Sequence, residues 1–77
     1  MFKCKNLDIA IWLKANDIDL EIEDKDGIIS FYANDTEQEV RDRITEYFLA
    51  QSGTAVSFDY SKLLQATSWI KKKLHRQ

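Results

Sequence analysis

A chain of 77 residues, 44% of them hydrophobic, has material for one domain with one small core, near the lower limit at which a fold holds without staples. A single cysteine, Cys4, excludes an intramolecular disulfide, and with His75 as the lone histidine a metal-stapled fold fails on ligand count. The formal charge of −2 conceals a polarised chain, because residues 17–46 carry eleven acids against three bases while residues 62–77 carry five bases and no acid.

Residues 2–5 suit a short N-terminal strand with Phe2 and Cys4 on one face. Asn6 can cap a helix running to about Ala15, with Leu7, Ala10, Ile11 and Trp12 as its apolar set. At Asp17 the period changes from helical to two. Ile18, Leu20 and Ile22 alternate with Asp17, Asp19, Glu21 and Glu23, so a strand here has one oily and one acidic face.

A second strand is expected over residues 28–33, and the turn before it decides which face points inward. A three-residue loop of Lys25, Asp26 and Gly27 would set Ile22 across from Ser30. A loop of two or four residues instead sets Leu20 and Ile22 on the face of Ile29, Phe31 and Ala33, which buries more carbon and is the preferred arrangement. Gly27 then supplies the positive φ of the turn. The outward face carries Asp19, Glu21 and Glu23 beside Ile28 and Tyr32.

Asn34, Asp35 or Thr36 can start the next helix, and both Thr36 with Glu39 and Asp35 with Gln38 have capping-box spacing. Its expected buried stripe is Val40, Ile44, Tyr47 and Phe48, with Gly53 as a left-handed terminator. After a short extended piece around Val56, Ser57 or Asp59 caps a third helix. The stripe expected there is Tyr60, Leu63, Leu64, Thr67, Ile70 and Leu74, and Lys71, Lys72, Lys73 and Arg76 lie near the negative end of its dipole. The order is helix, strand, strand, helix, helix. It predicts one α+β domain over residues 1–77, in two layers, with a β-hairpin sealed by helices.

Few chemistries fit these residues. Alternate carboxylates along one strand face sit roughly 7 Å apart and fan into solvent, and no histidine or glycine loop completes a catalytic or metal site around them. The DKDG piece at 24–27 fails as a calcium loop, since Phe31 and Tyr32 stand where oxygen ligands are needed. His75 and Cys4 lack orienting partners for nucleophilic catalysis, so no enzyme, cofactor or small-molecule substrate is expected. The N-terminus shows no signal-peptide pattern and no apolar run is long enough for a membrane span, which predicts a cytoplasmic protein with no membrane contact.

Several stretches carry a likeness: LDIAIWLKAN at 7–16, the extended segment 18–22, IISFYAND at 28–35, ITEYF at 44–48, and the spacing of Val56 and Phe58 to residues 63–73. Through them the chain resembles a family of short prokaryotic and phage-borne proteins catalogued as a domain of unknown function. The resemblance implies the same order of elements and brings no activity or site residues. In such proteins a glycine often precedes the first strand; here Asn16 and Asp17 occupy that place.

The leading expectation is therefore a non-catalytic accessory or regulatory protein that docks to another protein or to its own copy, using Asp19, Glu21, Glu23, Ile28 and Tyr32 on the hairpin or its open edge. A second is weak nucleic-acid association through Lys71, Lys72, Lys73 and Arg76. A third inverts the sign, with the acidic excess over residues 17–46 imitating a phosphate backbone and blocking a nucleic-acid-handling enzyme.

Overall fold

The computed structural model describes residues 2–74. Among them the elements run β1 (Phe2–Cys4), α1 (Leu7–Ala15), β2 (Leu20–Lys25), β3 (Ile28–Ala33), α2 (Glu37–Gln51) and α3 (Tyr60–Leu74). This is the expected α+β order, with the N-terminal strand present. The strands form one antiparallel sheet in the order β1-β3-β2, so the last strand in the chain is the central one.

The hairpin adopts the two-residue loop. Leu20 pairs with Ala33, Ile22 with Phe31 and Lys25 with Ile28, leaving Asp26 and Gly27 as the turn. Both turn residues have positive φ, 56° and 81°, the pattern that matches a tight turn to the right-handed twist of its strands. That register puts Leu20, Ile22, Phe31 and Ala33 on one side, where Phe2 and Cys4 of β1 join them opposite Ala33 and Phe31.

The helix ends have residue-level causes. The Asn6 side chain accepts from the Ile9 amide, Thr36 Oγ1 from the Glu39 amide, and Asp59 Oδ1 from the Ser61 and Lys62 amides. At the end of α2 the Gly53 amide donates to the Ala50 carbonyl and the Thr54 amide to the Leu49 carbonyl, with Gly53 at φ 92°. The end of α1 repeats this double closure, the Asp17 amide donating to Lys14 and the Ile18 amide to Leu13, but the left-handed residue is Asp17 at φ 65°. Ile18 is thereby committed to the helix cap, and β2 starts at Leu20 rather than at 18. The Asn34 amide still donates to the Asp19 carbonyl, extending the ladder by one bond.

Helix α1 is the centre of the fold, packing against α2, α3 and β2. Its apolar residues therefore go inward on several sides: Ala10, Trp12, Leu13 and Ala15 are buried, and Ile9 and Ile11 half-buried. Leu13, absent from the predicted set, is fully buried, whereas Leu7 is exposed because it sits at the helix start beyond the reach of the neighbouring helices. The Trp12 indole N–H donates to the Arg43 carbonyl at 2.8 Å and ties α1 to α2. Ala10, Leu13, Ile18, Leu20, Phe31, Ala33, Val40 and Ile70 form one core cluster drawn from five elements and the α1–β2 link.

Three aromatic and aliphatic positions depart from the expected stripes. Phe48, Tyr60 and Leu64 are exposed. On α3 it is Ala66 and Ile70 that are buried, with Leu63, Trp69 and Leu74 half-buried, so the helix turns a neighbouring face toward α1.

Candidate functional site

The side of the sheet away from the core collects the acids. Across the three strands Lys3, Tyr32 and Glu21 stand in one row, since Lys3 pairs with Tyr32 and Tyr32 with Glu21. The Lys3 Nζ lies 5.6 Å from the Tyr32 ring centroid, and the Tyr32 hydroxyl donates to Glu23 Oε1 at 3.3 Å, a long hydrogen bond. Glu21, Glu23 and Tyr32, with Ile22 and Asp24, line a shallow hollow at the β2 edge. This is a built arrangement of cation, ring and carboxylates rather than a bare acidic strip.

Ile28 does not join it. It lies at the turn, four residues from Tyr32 and so roughly 13 Å away along the strand, with Ser30 between them. Ser30 is buried although it alternates outward, because it is a small side chain on the central strand. Asp19 lies just before β2 and faces a second groove, lined also by Lys14, Asp17, Lys62, Gln65 and Trp69. There Lys62 Nζ donates to Asp17 Oδ2 at 2.8 Å. That hydrogen bond, backed by the ammonium charge, holds the Asp17 carboxyl below its ordinary range and raises Lys62 in turn.

The basic candidates diverge around α3. Lys71 and Lys72 border an outer hollow with Leu64, Thr67 and Ser68, whereas Lys73 leans over the Trp69 ring at 5.4 Å, a ring that Lys14 covers at 4.2 Å. Arg76 and His75 lie outside the described residues. Lys3 is not among the residues expected at the hairpin face, yet placing Phe2 and Cys4 inward sends it outward to that face.

Among the described residues no three His, Cys, Asp or Glu side chains converge as a metal site, and no helix is long and apolar enough to cross a membrane. Cys4 is half-buried, and burial pushes its thiol pKa up, so its thiolate is scarce at neutral pH. Comparison with protein-family models, with curated proteins and with solved structures finds no match.

Proposed function

We propose that the protein is a small non-catalytic binding module that accepts a basic, extended segment of a partner protein alongside β2. The observation that supports this reading is the sheet order: β2 is an outer strand of six residues, and the hydrogen-bonding groups on its free side are flanked by Glu21 and Glu23. A strand added there gains main-chain hydrogen bonds, while lysine or arginine at alternate positions meets the carboxylates. Tyr32 supplies an aromatic surface with its hydroxyl already engaged by Glu23.

A peptide alternating lysine and valine, titrated into the isotopically labelled chain, tests it. Amide shifts should concentrate on residues 20–25, weaken with salt, and fall at least tenfold in affinity in the Glu21→Lys, Glu23→Lys double variant. Shifts elsewhere, or an affinity the double variant leaves unchanged, would remove the reading.

A second reading keeps one supporting observation: Lys71, Lys72 and Lys73 are exposed and none of them takes part in an ion pair among the described residues. Phosphate contact there predicts salt-dependent anisotropy with single-stranded DNA, diminished when all three are replaced by glutamine. No binding at low salt ends it.

A further inference from the structure

Residues 47–58 contain no charged side chain, twelve in a row within a chain that is 31% charged. They cover the end of α2 and the link to α3, and there the structure leaves aromatic carbon in water. Phe48 is 55% exposed, Phe58 57% and, just beyond, Tyr60 67%; Leu49 and Leu64 are exposed as well. The rings are joined through a floor. Trp12 lies 6.2 Å from Phe58 and 6.4 Å from Tyr47 between centroids, and Tyr47 meets Phe48 edge-on at 5.4 Å. The polar atoms of that floor are already occupied, the Trp12 N–H by the Arg43 carbonyl and the Tyr47 hydroxyl by Gln51 Nε2. What faces outward is mostly ring and aliphatic carbon, with the Tyr60 hydroxyl at its margin.

We infer that a second copy of this chain covers the aromatic face formed by the end of α2, the α2–α3 link and the start of α3. Two features select a copy of itself over a different partner. In a two-fold contact each residue near the axis meets its own kind, so a charge there would face a like charge; residues 47–58 carry none, and Asp59 and the lysines beside Leu64 stand toward the α3 side of the face. A strongly basic or acidic partner, by contrast, would find no charge to pair with along residues 47–58.

Area agrees. With aromatic side chains presenting roughly 150–250 Å² each, the exposed parts of Phe48, Leu49, Phe58, Tyr60 and Leu64 amount to the order of 500 Å² per copy. Two copies then bury on the order of 1,000 Å², the level at which specific interfaces begin, and a patch of that size is at the upper end for a monomer. The chain also has reason to gain from it, since a 77-residue domain covers comparatively little of its apolar surface by itself.

Sedimentation equilibrium of the full chain, from micromolar to millimolar, is the test. The mass should rise toward twice 9.0 kDa. Phe48→Glu and Leu64→Glu should each weaken association at least tenfold while the far-ultraviolet dichroism stays native. Should either fail to fold, Tyr60→Lys at the most exposed position keeps the test open. A wild type that remains single at millimolar concentration overturns the inference. So does a dimer indifferent to all three charges, or one dissolved by Glu21→Lys and Glu23→Lys, which would place the contact at the β2 edge. Because the β2 peptide titration reads amide shifts rather than mass, the two ideas can fail separately.

Discussion

At Asp17, a non-glycine residue is held left-handed at φ 65° so that α1 can close its last turn and hand Ile18 to the core. The conformation costs an ordinary residue about 1–2 kcal/mol, which glycine avoids. Asp17→Gly should therefore be more stable than Asp17→Ala by about 1 kcal/mol in denaturant melts. Both lose the Lys62 partner, so equal midpoints would count against left-handed strain at this site. The ion pair itself shows in pH. Lys62 depresses the Asp17 carboxyl in the folded state, so the pair's contribution is present above the ordinary carboxyl range and is lost as pH falls through the depressed value. The difference in melting temperature between wild type and Asp17→Asn should be largest at neutral pH and shrink as acid protonates the Asp17 carboxyl. A gap that acid leaves unchanged contradicts the assignment. Cys4 gives a simpler readout: with its thiol pKa raised by burial, alkylation at neutral pH should run slower than for the unfolded chain.

Helix α1 carries the clearest prediction among the elements. Leu13 is fully buried in the shared core cluster, so Leu13→Ala should cost about 2–5 kcal/mol, whereas Leu7→Ala, at the exposed helix start, should cost well under half of that. Comparable losses in urea melts would contradict the placement of α1. The same helix shows where sequence reading stops. IAIWL at 9–13 is apolar at every position, so its period cannot say which residues go deepest; that is decided by α2, α3 and β2 closing around it. Helix α3 poses the opposite ambiguity, because Tyr60 with Leu64 and Leu63 with Ile70 both have helical spacing. The small Ala66, uninformative as a hydrophobe, lies on the face that packs. The inward face of the hairpin was legible, since a one-residue slip would set Leu20 and Ile22 on the side away from Phe31 and Ala33, but the choice between a two- and a four-residue loop and the start of β2 at Leu20 were not. The acids of the candidate docking face were legible for the same reason, being the complementary half of that alternation. Lys3 and the separation of Ile28 from Tyr32 needed the third strand and the turn to be placed.

For the molecule as a whole, acids gather on β2 and along α2, lysines toward the end of α3, and exposed aromatic carbon at the end of α2 and the link to α3. One consequence of the strand order concerns synthesis. Phe2 and Cys4 are made well before β3, the strand that β1 pairs with among the described residues. The hairpin can begin to pair once β3 has followed its tight turn out, although two strands alone are only marginally stable. Once Ala33 has emerged all three strands can meet, but Leu13, Leu20 and Phe31 stay open to chaperones until Val40 and then Ile70 have emerged and packed over them.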